Sequence, residues 1–371
     1  MNTATSERVH IAIFGNCNSG KSSLLNAIAG QAVAVVSDIA GTTTDVVQKS
    51  IELPGIGAAL LIDTPGLDDN TELGQLRTTQ SYKVLPKTDI AIVLLPVEQS
   101  LLDKLQSLEI PAIKVISKCD LDTTQKFDDA IAVSSKTGEG IQMLLDAIAR
   151  TITTEQRYIT EGICNTGDTI LLVMPQDSSA PKGRLIKPQV EVIRELLDRG
   201  CTPVCCQPEG MTAALGALTA PPKVIITDSS AFAAVKPLVP QGVTLTSFSI
   251  LFARYKGDIE LFREGAKALL SLPANAKILI AEACSHIPQS EDIGRVKLPK
   301  LLRKKLGEGI EIDIVGGNDF PDDLSKYDLI IHCGACMFNR RYVLSRIEQA
   351  KQQGVAMTNY GVAMAAMLGI E

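Results

Sequence analysis

The element that most constrains how this chain can fold is Gly15-Asn16-Cys17-Asn18-Ser19-Gly20-Lys21-Ser22. It fits G-x-x-x-x-G-K-S and lies between an apolar run, residues 9–15, and a helix-like segment, residues 21–30, that Gly30 is expected to close. A strand before the loop and a helix after it are the context that this motif requires. The glycines let the backbone curl so that its N–H groups and the helix N-terminus point at phosphate oxygens. Lys21 is then placed to bridge the β- and γ-phosphates, and the Ser22 hydroxyl to ligate magnesium. Asn16, Ser19 and Ser23 complete the loop and the first helical turn. The plain alternative is a Gly-rich turn without a ligand, and the two correct flanking elements argue against it.

Four further motifs follow in order. Asp63-Thr64-Pro65-Gly66 ends the apolar run at 60–63, which puts Asp63 near the magnesium and the Gly66 N–H near the γ-phosphate. In Gly41-Thr42-Thr43-Thr44-Asp45, Thr43 is the candidate to join the metal shell when a third phosphate is present. Ser117-Lys118-Cys119-Asp120 offers a carboxylate to the guanine N1–H and exocyclic amine together. Ser134-Ser135-Lys136-Thr137-Gly138 offers backbone donors to the guanine oxygen. Each motif alone is weak, but five in this order are not a chance pattern. Residues 1–155 therefore resemble a translation-factor-type GTPase of the branch that includes the tRNA-modifying and ribosome-assembly GTPases. That resemblance implies GTP and Mg2+ as cofactors, with Lys21, Thr43, Asp63 and Gly66 in the catalytic roles. Ser117 replaces the family's usual Asn, and is expected to lose a brace between loops. Leu67 stands where Ras-like proteins place a water-orienting Gln, so hydrolysis should be slow without help. Asn18 matches an asparagine that resembles a potassium ligand in this branch, where a cation can supply the charge of an arginine finger. A turn or capping role fits Asn18 equally well.

Strand-like and helix-like segments alternate along the remaining chain, the signature of α/β domains on largely parallel sheets. A polar stretch at 156–168 reads as a linker, and SLPAN (271–275) as a second boundary after one long helix over 250–272. The economical division of 371 residues is a P-loop GTPase fold at 1–155 and two Rossmann-like α/β domains at 169–272 and 273–371. A net charge of −6 with 4% aromatic residues disfavours general nucleic-acid binding, because little would neutralise phosphates. No apolar run reaches the roughly 18 residues of a bilayer span. The polar opening MNTATSERVH lacks a signal-peptide pattern, so the nine cysteines are expected to be reduced thiols in a cytoplasm.

Those thiols are unevenly distributed. Cys284-Ser285-His286 follows the strand-like KILIAEA, and His332-Cys333-Gly334-Ala335-Cys336 follows DLIIHC. Both lie at expected carboxyl ends of strands, where open α/β sheets place ligands. Three of nine cysteines and two of three histidines meet there. A C-x-x-C turn lets two sulfurs face one metal, and Gly334 is expected to permit the tight backbone. Three thiolates hold three irons of a 4Fe–4S cube and leave one iron to another ligand, for which His286, His332 and Glu291 are candidates. Two thiolates and two imidazoles would equally close a zinc tetrahedron, and Cys333 with Cys336 alone would make a redox dithiol.

A GTPase domain followed by C-x-H, 45 intervening residues and H-C-x-x-C resembles the FeFe-hydrogenase maturation GTPases, the HydF family. The resemblance spans essentially the whole chain. It implies a 4Fe–4S cluster on Cys284, Cys333 and Cys336, and a homodimer formed through the middle block. It also implies a di-iron precursor as cargo, passed to the FeFe-hydrogenase apoprotein, with radical-SAM maturases as further partners. The competing reading is a ribosome- or tRNA-associated GTPase with a structural zinc site. Cys17, Cys119, Cys164, Cys201, Cys205, Cys206 and His10 are read as incidental or structural, and the stretch 66–80 as a nucleotide-sensing switch or a solvated loop.

Overall fold

The structure is a computed structural model, in which residues 8–31, 35–39, 47–67, 78–121, 129–152, 157–176, 185–283, 293–317, 319–335 and 338–370 are described. The chain divides into two compact units, Met1–Glu155 and Gln156–Glu371.

The strands of the first unit are β1 (Val9–Gly15), β2 (Val35–Ile39), β3 (Val47–Leu53), β4 (Gly57–Asp63), β5 (Ile90–Leu94), β6 (Ala112–Ile116) and β7 (Ile131–Ala132). Among the described residues they form one sheet in the order β2-β3-β4-β1-β5-β6-β7. Central β1 is parallel to both β4 and β5, whereas β2, β3 and β4 form an antiparallel meander. Alternation along β1 sends its side chains into two layers. Ile11 and Ile13 pack with Leu24 and Ile28 of helix α1 (Lys21–Gln31) and with Leu144 and Ile148 of helix α3 (Ile141–Thr151). Ala12 and Phe14 point the other way, onto Leu101 and Leu105 of helix α2 (Gln99–Ser107). Covered on both faces, β1 is fixed in depth, and so is the loop at its carboxyl end. Helix α1 runs through Gly30 to Gln31 instead of closing at the glycine.

The second unit holds two parallel sheets. One contains β8 (Thr169–Val173), β9 (Thr202–Cys206), β10 (Val224–Thr227) and β11 (Thr244–Ser247) in the order β11-β10-β8-β9. The other contains β12 (Lys277–Ala281), β13 (Glu311–Val315), β14 (Leu329–His332) and β15 (Ala356–Asn359) in the order β13-β12-β14-β15. Among the described residues, the helices of six or more residues are α4 (Lys187–Asp198), α5 (Met211–Gly216), α6 (Phe248–Lys256), α7 (Ile259–Leu270), α8 (Leu298–Leu306), α9 (Arg340–Gln352) and α10 (Tyr360–Met367). The fold class expected from the alternating pattern is therefore the one found: a P-loop GTPase fold and parallel sheets after it. No helix among the described residues is long and apolar enough to cross a membrane.

The long helix expected over 250–272 is broken into α6 and α7. Gly257 leaves the helical region with φ −123° and ψ −148°, and a Cβ there would stand 2.5 Å from the Phe262 ring. Asp258 then caps α7, its Oδ1 accepting the Leu261 N–H at 3.1 Å. The break serves two cores. Phe248, Leu251 and Phe252 of α6 pack with Ile170, Leu172 and Ile226 of the first sheet, whereas Phe262 and Ala266 of α7 pack with Leu279, Ile330 and Met357 of the second. Residues 157–168, expected as a linker, are held against α4 and its C-terminal turn. Glu195 accepts the N–H groups of Ile159 and Thr160, each at 2.7 Å, and Arg199 donates to the carbonyls of Thr160 (2.6 Å) and Cys164 (2.8 Å). Ile159 and Cys164 enter the core below.

Candidate functional site

The loop Gly15–Ser22 runs from the end of β1 into α1, as its spacing requires. Lys21 is buried, and its Nζ donates to the carbonyls of Gly15 (3.0 Å) and Asn16 (2.6 Å), so the ammonium lies inside the curl of the loop. Ser22 Oγ donates to Asp63 Oδ2 at 2.5 Å, joining the first turn of α1 to the end of β4. The other oxygen, Asp63 Oδ1, is buried without a hydrogen-bond partner among the described residues. Burial pushes the Asp63 carboxyl up from its ordinary range, opposed by the Ser22 hydrogen bond and the Lys21 charge. A buried carboxylate oxygen with no donor, next to a serine hydroxyl at the start of a helix, is a donor set suited to a divalent cation. The residues present thus fit Mg2+.

Gly66 follows directly. A Cβ there would lie 2.3 Å from Cys17 Sγ and 2.9 Å from the Cys17 nitrogen, so the D-T-P-G turn rests on the phosphate loop and only glycine fits. Thr64 Oγ1 donates to the Ile13 carbonyl at 2.7 Å, and Ser81 Oγ to the Pro65 carbonyl at 3.0 Å, tying the turn to the helical residues 78–82. Leu67 is partly buried against the core around Phe14 and Ile62. Thr43 and residues 68–77, part of the expected switch, lie outside the described residues.

The expected loss of a brace at Ser117 is corrected by the geometry. Ser117 Oγ donates to the Ser19 carbonyl at 2.6 Å, and Lys118 Nζ to the Asn18 carbonyl at 2.8 Å. The loop approaches closely enough, with Gly20 near Ser117, for a short hydroxyl to span the gap. Ser134 Oγ donates to Asp120 Oδ1 at 2.7 Å, and this bond holds the Asp120 carboxyl below its ordinary range. Asp120 is exposed, with Ser134 and the Thr137 N–H bonded behind it, so a carboxylate is presented with its acceptor orientation fixed. Ser135 and Lys136 lie on the adjoining turn, and Ser23 is exposed on α1.

In the second unit β12 and β14 are neighbours, with Ala281 opposite His332. Ala283, the residue before the first Cys/His motif, and Cys333 of the second therefore follow neighbouring strands at the same edge of one sheet. Cys284, His286, Glu291 and Cys336 lie outside the described residues, and among the described ones no three His, Cys, Asp or Glu side chains gather as for a metal. Cys333 is described, and its sulfur accepts the N–H groups of Ala283 (3.0 Å) and Ala335 (3.4 Å). Two backbone donors aimed at one sulfur favour the thiolate, the form that binds metal.

His332 departs from its expected role. It is fully buried, with Nδ1 2.6 Å from the Cys333 carbonyl and Nε2 2.9 Å from Arg346 Nη1. Burial, then the Arg346 charge, pushes its pKa down to about 3, so the ring is neutral. Nδ1 carries the proton to the carbonyl and Nε2 accepts from the guanidinium, which leaves no lone pair for a metal. As placed, His332 links α9 to the cysteine loop through both ring nitrogens. Gly334 is also not the strained residue of the turn. That residue is Ala335, at φ +46°.

Three residues unmarked by any motif complete this region. Arg346 is buried, donates to the Gly317 carbonyl at 2.7 Å and to the Tyr342 hydroxyl, and stacks over Phe320. Glu282, one residue beyond β12, is buried and pairs with Arg295 at 3.0 Å. Lys256, the last residue of α6, donates to the carbonyls of Ala335 (2.9 Å) and Phe338 (2.8 Å).

Comparison with known proteins divides the chain at similar places. Residues 10–118 match the family described as 50S ribosome-binding GTPase, residues 159–257 the hydrogen maturase F dimerization domain, and residues 260–371 the hydrogen maturase F tetramerization domain. The last two meet where Gly257 and Asp258 break the helix. A tRNA modification GTPase MnmE of Neisseria meningitidis serogroup C is 35% identical over 169 residues, 42% of this chain and 37% of that protein. Its counterpart in Chromobacterium violaceum is 31% identical over 151 residues, 37% of this chain and 33% of that protein. The chain thus spans little more than a third of the length of these relatives. The crystal structure of Aquifex aeolicus Era shares 23% identity, with a TM-score of 0.33, over 40% of this chain and 57% of that one.

Proposed function

On the premise that this chain has the domain architecture of the HydF hydrogenase-maturase GTPases, we propose that it is a GTP-hydrolysing scaffold for a 4Fe–4S cluster. The cluster is held by Cys284, Cys333 and Cys336, and the cargo is a di-iron precursor delivered to an apo-FeFe-hydrogenase. The observation that carries this reading is Cys333, its sulfur held by two backbone N–H groups beside the strand that leads to Cys284. With His332 engaged at both nitrogens, the fourth position falls to Glu291 or His286.

The nucleotide site has separate tasks. Lys21 places a positive charge within the loop, where β- and γ-phosphate oxygens are held. Ser22 and Asp63 hold Mg2+, which neutralises developing phosphate charge. Asp120 accepts from the guanine edge, with Ser134 fixing its orientation. Leu67 is given over to packing and orients no water, so hydrolysis is slow unless a cation beside Asn18 or a partner supplies the missing charge. Potassium is the cation assigned to that place. The hydrolysis step has no chemistry to offer iron. Its effect is on loop order and hence on contacts with the maturases. The dimerization and tetramerization matches support an oligomeric working form, and a homodimer is the basic pair of this reading.

The likeness to the tRNA modification GTPase MnmE covers 42% of this chain, whereas the hydrogen maturase F domains match residues 159–257 and 260–371. The test of delivery is direct. The loaded protein, freed of small molecules and mixed anaerobically with apo-FeFe-hydrogenase, is expected to yield hydrogen evolution. No activation, with the cluster intact and the precursor bound, would remove the carrier role.

A further inference from the structure

We propose that Lys256 is a positioning residue of the cluster site, reaching it from the other sheet of the same unit. The proposal deepens the cluster reading above and rests on it.

Helix α6 is built into the core of the sheet β11-β10-β8-β9 through Phe248, Leu251 and Phe252. Its last side chain leaves that core. Lys256 is 2% exposed, and its Nζ donates to the carbonyls of Ala335 at 2.9 Å and Phe338 at 2.8 Å, with the Phe252 ring centroid 5.5 Å away. Ala335 and Phe338 are the residues on either side of Cys336-Met337 in the sequence. Ala335 also gives the N–H that reaches Cys333 Sγ, so one residue is bonded to the ammonium through its carbonyl and to the thiolate through its nitrogen. Its φ of +46° is uncommon for a residue with a Cβ and persists only where the surroundings hold it. The two carbonyl bonds from Lys256 are such a hold.

The charge has its own effect. Burying an ammonium is costly, and an amide could have satisfied both carbonyls without it. A cluster on three thiolates is strongly anionic, and nearby charge and hydrogen bonding set its reduction potential. A buried cation joined to a ligand sulfur through the two hydrogen bonds of Ala335 favours the reduced, more negative cluster. At the effective dielectric of a protein this is worth on the order of tenfold in the reduction equilibrium, about 59 mV for one electron. Lys256 also lies at the end of the segment that matches the dimerization domain, so its side chain ties the cysteine loop to that segment.

The test uses the full chain, reconstituted anaerobically with iron and sulfide, as wild type, Lys256→Gln and Lys256→Arg. Gln keeps donors and removes charge, whereas Arg keeps charge. Iron and sulfide content, the electron paramagnetic resonance spectrum of the reduced cluster and its midpoint potential are read for each. The expected result is a Gln variant with a potential lowered by about tenfold in the equilibrium, or one that loses its cluster, and an Arg variant that restores wild-type behaviour. A Gln variant with wild-type potential and spectrum overturns the proposal. So does a Gln variant that is already insoluble before iron and sulfide are added, because Lys256 is then a fold support alone. A wild-type protein that takes up no cluster defeats the underlying reading instead, and is told apart by that result.

Discussion

Replacement of Lys21 by alanine is expected to lower GTP hydrolysis roughly a thousandfold, the upper end of what one transition-state donor contributes. The reason is positional. The ammonium lies inside the loop, on the Gly15 and Asn16 carbonyls, where the γ-phosphate charge develops. The fold of the first unit should survive, because β1 and α1 are held by Ile11, Ile13, Leu24 and Ile28 and not by the lysine. Lys21→Arg is not expected to rescue. A planar guanidinium is larger than an ammonium and presents its donors in a fixed fork, which the curl around two carbonyls does not match. Phosphate-release assays check the rate, and circular dichroism checks the fold. If hydrolysis is lost while precursor transfer and partner release continue unchanged, nucleotide state does not govern those contacts.

The second large effect is at Cys333. Cys333→Ala removes a thiolate that Ala283 and Ala335 are arranged to stabilise, and leaves two N–H groups without an acceptor. The expected outcome is loss of cluster binding beyond the roughly 10–100-fold that outer-shell substitutions cost. His332→Asn makes the contrast. Both imidazole nitrogens are engaged, with the Cys333 carbonyl and Arg346, so the substitution disturbs a strut and not a ligand. It is expected to keep its iron, with at most an altered potential. Iron and sulfide analysis of both variants separates the cases, and an iron-free His332→Asn variant beside a loaded Cys333→Ala variant would invert the assignment.

What could be read from sequence was what is written in local spacing. The phosphate loop, D-T-P-G and the two base motifs each follow a strand, and the structure brings Ser22 to Asp63 and Lys118 to Asn18. The antiparallel strands β2 and β3 were harder to see. Val47–Leu53 reads VQKSIEL, whose polar residues interrupt the apolar pattern that marks a strand. The break at Gly257 was hidden because apolar residues continue at helical spacing on both sides, and only tertiary packing separates the two cores. Lys256, Arg346 and Glu282 carry no signal at all. Their meaning lies in contacts such as Lys256 to Ala335, 79 residues apart, or Arg346 to Gly317, 29 residues apart. At Ser117 side-chain length alone does not show how near the loops stand, and a short hydroxyl spans the gap. At His332 residue type does not show the burial or the Arg346 contact.

The proposed iron–sulfur cluster of this GTPase belongs to its last sheet. Anaerobic reconstitution of the full chain, followed by metal and sulfide analysis and an absorption spectrum, tests it most directly. The expected product is a brown protein with about four iron and four sulfide per chain, and no stoichiometric zinc. A colourless protein that holds one zinc per chain after the same treatment would contradict it.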